Sequence, residues 1–425
     1  MKIYMFIAHM GIGGAERVAV TLANEWADLG HEVNIVVLNL DNDIYTDKLR
    51  AGIQVHELGV SRLRYSFLPM YRFIRRHKPG FIFVFGNEMA VILSHLRSLH
   101  LIDTPIIVRV LNNVNISLVK EDGVSKTVEK YLNSSQKRLS KMEFIIAQCD
   151  AMAKQLLKRN LAKESALRVV YNPVNPDLVA KVRELRLSPG EDRAGISVDG
   201  DGHNEKPLNT DTKAVSVGNG GCTEKPVSTD AKGCEVGRGD CDCREITFIG
   251  RIDPQKNPAD LIEAFEKLLC KVREQAIGQR IVLRMVGSGN LDEKIKSMVQ
   301  EKGLTDNVIF DGIRQDMENV YATTDVVALS SDYEGMPNCL IEAIASGIPV
   351  VSYDCPFGPG EIITEANGYL VPMGDTGALA EALYTALNKD WDVDAITASA
   401  SKFSPKLAAS ELVDVFKKNS IKSYE

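Results

Sequence analysis

No stretch of this 425-residue chain approaches the roughly 18 uninterrupted apolar residues that a membrane-spanning helix needs. The opening run MKIYMFIAHMGIGG holds one lysine, is broken by His9 and shows no small-residue cleavage site before its glycines, so it reads as a first strand and not as a secretory leader. Cysteine is sparse. Its eight positions (149, 222, 234, 241, 243, 270, 339 and 355) exclude a disulfide scaffold and fit a reduced, cytoplasmic setting, soluble or peripheral to a membrane. The spacing of Cys234, Cys241 and Cys243 relative to His203 matches no familiar zinc pattern, which argues against a structural metal. Nothing in the chain points to a nucleic-acid partner.

Apolar residues make up 44% and charged residues 25%, enough for a full hydrophobic core, and the length favours two domains over one. The net charge of −7 hides an asymmetry: residues 1–185 hold 25 Lys and Arg against 18 Asp and Glu, a balance of +7, leaving −14 for the rest. A basic front half suits an anionic partner such as a lipid diphosphate or an acidic membrane surface. Scatter among exposed charges is the competing explanation.

Short apolar runs alternate with helical patterns: 2–8, 32–39, 53–58, 81–86, 106–111, 143–149 and 166–172, then a second series at 245–251, 281–287, 307–312, 326–330 and 348–353. That rhythm predicts two doubly wound parallel sheets, an α/β architecture. Between them, 190–243 is poor in large apolar residues and repeats with a period of 19, GISVDGDGHNEKPLNTDTK (195–213) followed by AVSVGNGGCTEKPVSTDAK (214–232). Units without an apolar face cannot stack as a solenoid, so the segment reads as a flexible tandem expansion. The expected layout is 1–185, a first Rossmann-like domain; 190–243, the repeat; 244–403, a second such domain; and 404–425, a helix returning to the first.

MGIGGAERVAV (10–20) places Gly13 and Gly14 just before a helix, where backbone N–H groups can approach an anion. A nicotinamide site would look similar but would want an acidic residue ending the second strand, where Asn39 stands with Asp41 two places on; the loop alone leaves both readings open. GRIDPQKN (250–257) follows a strand with Arg251 and Lys256 five apart, two cations at a sheet edge that suits a diphosphate. MVGSGNLDEKI (285–295) adds Gly287 and Gly289 at another strand-to-helix turn. EGMPNCLIE (334–342) carries the strongest signal: Gly335, Met336, Pro337 and Asn338 lead into a helix, and Glu334 and Glu342 lie a little over two turns apart, able to accept hydrogen bonds from sugar and ribose hydroxyls.

With these motifs in this order the chain resembles a retaining glycosyltransferase of family 4, over nearly everything outside 190–243. The resemblance implies the GT-B fold, two Rossmann-like domains facing across a cleft. It also implies a glycine loop at 11–16, a diphosphate-binding pair in Arg251 and Lys256, Glu334 on the transferred sugar and Glu342 on the ribose. DCPFGPGEII (354–363) resembles the loop beside the donor phosphates and GYLVPMGD (368–375) the turn after it. A nucleoside diphosphate sugar, with UDP as the expected nucleotide, would be the co-substrate, without cofactor or metal. The three Asp-x-Asp strings, Asp41/Asp43, Asp199/Asp201 and Asp240/Asp242, read as surface acids.

The chain departs from the family at RVLNNVN (109–115), where many relatives hold a histidine; Arg109 and Asn112 stand as acceptor-side candidates, with Glu16. SRLRYSFLPMYRFIRRHKPG (61–80) combines six basic residues with four aromatic ones, a pattern for a helix lying on an anionic membrane or one packed with basic outer positions. The expected acceptor is a glycan or lipid-linked sugar of cell-surface polysaccharide assembly. A nucleotide-sugar epimerase and a catalytically silent nucleotide-sugar binder are the alternatives.

Overall fold

The computed structural model describes residues 1–41, 43–111, 142–187, 243–275 and 280–420. Asn112 and the 195–232 repeats lie outside the described residues, as do the Asp199/Asp201 and Asp240/Asp242 pairs.

The first sheet is built from β1 (Lys2–Phe6), β2 (Glu32–Val37), β3 (Gln54–Glu57), β4 (Ile82–Phe85), β5 (Ile106–Arg109), β6 (Phe144–Ala147) and β7 (Leu167–Val169), all parallel, in the spatial order β3-β2-β1-β4-β5-β6-β7. The second holds β8 (Cys243–Ile249), β9 (Arg280–Val286), β10 (Val308–Gly312), β11 (Val326–Leu329), β12 (Val350–Tyr353) and β13 (Gly368–Val371), again parallel, in the order β10-β9-β8-β11-β12-β13. Interior strands such as β4 (IFVF), β11 (VVAL) and β12 (VVSY) are buried at every position, because helices cover both faces of a parallel sheet. The edge strand β3 (QVHE) is buried at none. The strand order reverses between β1 and β4 and between β8 and β11, and the crevice outside the carboxyl ends at such switch points is where α/β sheets bind ligands.

One expectation changes. GYLV (368–371), read from sequence as part of a turn, is the strand β13, paired with β12 from Val350↔Gly368 to Tyr353↔Val371. Its alternation is partial, and a Cβ on Gly368 would come within 2.0 Å of the Val350 carbonyl, so the strand is defined by its neighbour. Asp41 and Asp43 are exposed, as surface acids should be, and the Asp43 Oδ1 accepts from the N–H groups of Tyr45 and Thr46, holding a turn.

The helix Pro405–Ser420 packs on the helix Gly14–Asp28 of the first sheet's layer. Phe416 stacks on Phe81 at 4.6 Å and meets Trp26 edge-on at 5.5 Å, while the Trp26 indole N–H donates to the Ala409 carbonyl at 3.2 Å. Burying one such aromatic side chain contributes about 1.5–3 kcal/mol. The C-terminal end of the chain is thereby tied to the first domain.

Candidate functional site

A cleft of about 1150 Å³ lies between the two sheets and is lined by both. Its floor on the second-domain side is EGMPN, which leaves β11 as a loop and enters the helix Asn338–Ala345. Pro337 starts that helix with no side chain capping its first N–H groups, which leaves them available to an anionic group. The Glu334 amide donates to the Pro356 carbonyl at 3.2 Å, so the DCPFGP loop fixes the position of EGMPN.

Glu334, 5% exposed, takes the Lys256 ammonium on Oε1 at 2.7 Å and the Ser331 hydroxyl on the same oxygen at 2.5 Å. Lys256 ends the turn Pro254–Lys256, which is capped by the Asp253 side chain. Burial acts to lower the Lys256 pKa, but the Glu334 carboxylate outweighs it and holds the ammonium charged above its ordinary range. Arg251 is of another kind. Its side chain is 71% exposed and held, among the described residues, by Asp253 at 3.2 Å and Gln255 at 3.4 Å, an exposed cation beside a buried one.

Glu342 lies farther along the helix, 4% exposed, and Oε2 accepts from the Tyr321 hydroxyl at 2.7 Å and from Arg17 Nη1 at 3.1 Å. Arg17 belongs to the first domain, on the helix that follows the glycine loop. The Asn338 side-chain amide also crosses the gap, donating to the Gly14 carbonyl at 2.9 Å. A Cβ on Gly14 would sit 3.0 Å from that amide, so a small residue is needed where the domains meet.

Of the residues singled out from sequence, Gly13, Gly14, Glu16, Arg251, Lys256 and Gly287 line this cleft, as do Glu334 to Asn338 and Glu342. Gly289 is not on its wall. A Cβ there would come within 2.2 Å of the Ile252 carbonyl, so its glycine serves close packing of two loops. Gly287 has φ of +132 and would place a Cβ 1.9 Å from the Gly250 carbonyl, which makes it obligatory for the backbone as well as adjacent to the cleft. Glu16 is buried and folds back toward Gly13. Burial raises its carboxyl pKa, and His9 stands 3.3 Å away to counter that.

Arg109, an acceptor-side candidate from sequence, also lines the cleft, with its charge held below the surface. The guanidinium is fully buried, with Nη2 donating to the Val170 carbonyl at 3.1 Å and to Asn172 Oδ1 at 2.6 Å; burial pushes its pKa down to about 9. Asn172 in turn donates to the Met336 carbonyl at 3.2 Å and to Asn338 Oδ1 at 2.7 Å. Arg109 thus anchors a polar chain that runs through Asn172 and Asn338 to Gly14. Asn172, Tyr321 and Arg17 escaped the sequence reading, since each gains its meaning from a partner distant in the chain, and Ser331, three residues from Glu334, escaped it because a serine after a strand carries no distinctive signal.

A further crossing lies away from the cleft floor. The Glu361 carboxylate accepts from the amides of Asp150 and Ala151, both at 2.9 Å, at the start of the helix Asp150–Lys158. Among the described residues, no three or more His, Cys, Asp or Glu side chains stand together as a metal would require, and no helix is long and apolar enough to cross a membrane.

Comparison with known proteins agrees with this geometry. The profile of the glycosyl transferases group 1 matches residues 241–403, and that of Glycosyltransferase Family 4 matches residues 12–178. The lipopolysaccharide 1,6-galactosyltransferase of Escherichia coli is 32% identical over 153 residues, 33% of this chain and 38% of that protein. The poly(ribitol-phosphate) alpha-N-acetylglucosaminyltransferase of Staphylococcus aureus is 29% identical over 143 residues, 33% of this chain and 28% of that protein. Matched stretches span between 17% and 38% of the curated relatives' own lengths. In structure, Anabaena HepE in complex with UDP and glucose superposes with a TM-score of 0.67 at 16% identity, covering 98% of this chain and 100% of that one. The lipopolysaccharide glycosyltransferase WaaG gives 0.65 at 14% identity, over 97% and 99%. At such identities the agreement is one of fold, the two-domain GT-B arrangement.

Proposed function

Since the chain belongs to the family 4, group 1 glycosyltransferases with the GT-B fold, we propose that it moves a sugar from a nucleoside diphosphate donor to a glycan or lipid-linked acceptor in bacterial cell-surface polysaccharide assembly, with retention at the anomeric carbon. The observation that carries this reading is the buried Lys256–Glu334 pair at 2.7 Å, beside the exposed Arg251 at the carboxyl edge of β8.

In this reading Lys256 and Arg251 neutralise the departing diphosphate as the bond to the anomeric carbon breaks. Charge of that kind, placed in advance in a partly dry cleft, stabilises an oxocarbenium-like transition state more than the ground state. Glu334 holds Lys256 in place and takes a hydroxyl of the transferred sugar. Gly335, Met336, Pro337 and the uncapped helix start at Asn338 bring backbone N–H groups to the phosphates. Glu342 takes the ribose, Gly287 lets the nucleotide approach the backbone, and the glycine loop with Glu16 closes the site from the acceptor side. The nucleotide sugar, UDP-linked as in a HepE complex with UDP-glucose, is a co-substrate, and the two cations do the work that metal-dependent glycosyltransferases give to a bound ion. The protein would act in the cytoplasm at an anionic membrane face.

The test is to incubate the protein with a panel of nucleotide sugars and to measure released nucleoside diphosphate with and without a lipid extract. Release that needs both a specific donor and the extract supports the reading. Release of nucleotide without any acceptor would favour the epimerase alternative, and no release with any donor would leave a binding protein.

A further inference from the structure

Arg17 has no role in the reading above, yet its side chain, three-quarters buried, leaves the first domain and ends on a carboxylate of the second. The contact is asymmetric. Both hydrogen bonds to Glu342, from Arg17 Nη1 at 3.1 Å and from the Tyr321 hydroxyl at 2.7 Å, fall on Oε2, and no bond to Oε1 is made among the described residues. A carboxylate held through one oxygen by two donors has a fixed plane, and its other oxygen points in a defined direction with its lone pairs unused. Ribose offers hydroxyls that donate, which is what such an oxygen lacks.

We propose that Arg17 is a positioning residue supplied by the acceptor domain, which fixes Glu342 through Oε2 so that Oε1 receives a ribose hydroxyl of the donor. The inference rests on the assignment of Glu342 to the ribose. Two further observations support it. The Arg17 guanidinium stays charged: burial acts to lower its pKa, and the Glu342 carboxylate more than reverses that. Arg17 lies in the first turn of the helix Gly14–Asp28, whose start is fixed on the other domain by Asn338, so the reach of the side chain is set by a second, independent contact. Tyr321 alone would leave the carboxylate free to rotate about a single bond. Arginine, with a planar fork of five donors, is suited to holding a carboxylate at a distance and in one plane.

One consequence concerns nucleotide selection. An enzyme that binds a ribose hydroxyl through a positioned, charged acceptor discriminates against the deoxyribose analogue, and a hydrogen bond of that type corresponds to about a 10- to 100-fold preference. If Arg17 sets the direction of Oε1, its loss removes the preference and not merely the affinity.

The experiment is calorimetric titration of the full chain with UDP and with 2′-deoxyuridine diphosphate, repeated with ADP and its 2′-deoxy analogue. Wild type, Arg17→Lys, Arg17→Ala and Glu342→Gln are compared, each with a melting curve. Wild type is expected to prefer the ribonucleotide by about tenfold or more. Arg17→Ala is expected to bring the ratio close to one, Arg17→Lys to retain an intermediate ratio, and Glu342→Gln to lose it. If Arg17→Ala weakens both nucleotides equally and keeps the ratio, Arg17 merely holds the domains together and the proposal is overturned. Tighter ribonucleotide binding by Arg17→Ala would also overturn it, because Arg17 would then be blocking Glu342. Absence of a ribose preference in wild type with both nucleotide pairs would instead remove the ribose assignment of Glu342 on which the inference rests.

Discussion

Lys256 and Arg251 carry the same charge five residues apart, and their surroundings separate what their removal does. Removing Lys256 leaves Glu334 buried without its counter-charge, a cost of about 3–5 kcal/mol for a pair of this kind. Lys256→Ala is therefore expected to melt markedly lower and to lose about 100-fold or more in turnover. Adding Glu334→Gln to it should restore most of the melting temperature and none of the activity. A double variant as unstable as the single one would show that the pair is not what Lys256 contributes. Arg251 is 71% exposed, and its partner Asp253, 15% exposed, keeps the Lys256 amide as a donor when the arginine is removed. Arg251→Ala is expected to change stability by less than about 0.5 kcal/mol while still losing about 100-fold in turnover, measured as nucleoside diphosphate release. The residues that sequence revealed share a property with this pair. Glu334, Lys256 and Glu342 sit in short, distinctive strings at strand ends, where local chemistry is enough to mark them. Arg17 and Glu342 are 325 residues apart, and Asn172 and Asn338 are 166 apart, so nothing in either string announces the other.

At the scale of elements, strands with four or five consecutive apolar residues were legible because a doubly covered sheet demands them, and their ends shifted by only a few residues. β13 was not, since GYLV is half exposed and borrows its definition from β12. The C-terminal helix was legible as amphipathic, while its partner emerged only with Phe416 against Phe81 and Trp26. Phe416→Ala removes the centre of that contact and is expected to cost about 3–5 kcal/mol, seen as a lower denaturant midpoint. A shift below about 1 kcal/mol would mean the helix is only lightly docked. The loop after β10 offers a pH test. Arg314 donates to Asp316 Oδ1 at 2.7 Å and holds the carboxyl down at about 2, from an ordinary value of 3.8. A carboxyl depressed in the folded state stabilises above its unfolded pKa, and that contribution is lost as pH falls from about 4 toward 2. Asp316→Asn should flatten the acid limb of the melting curve in that window and leave the rest of the profile parallel. An unchanged acid limb would show that Arg314 does not hold this carboxylate in solution.

The whole molecule has a polarity that neither sheet shows alone. The front 185 residues carry a balance of +7, and part of it is concentrated on one face: Arg62, Arg64, Arg72, Arg75, Arg76 and Lys78 are all exposed on or beside the helix Phe67–His77. The same helix turns Met70 and Ile74 inward, so the packed and membrane-facing readings of its sequence are compatible and not exclusive. Tyr65 and Leu68, 57% and 48% exposed, stand among those cations and give the face an apolar component that a purely solvated surface would not need. Each basic residue near an anionic bilayer contributes about 1 kcal/mol, screened within a Debye length of about 8 Å at physiological salt. The protein is accordingly expected to sediment with vesicles containing phosphatidylglycerol and not with phosphatidylcholine alone, to be released as salt rises, and to be released at low salt by Arg72→Glu with Arg75→Glu and Arg76→Glu. Equal binding to both vesicle types would remove charge as the cause. A charge-reversed protein that still sediments with anionic vesicles would move the contact off this face. If the acceptor is lipid-linked, as proposed, it would reach the cleft from the membrane, and attachment through the first domain would leave the second to meet the soluble nucleotide sugar.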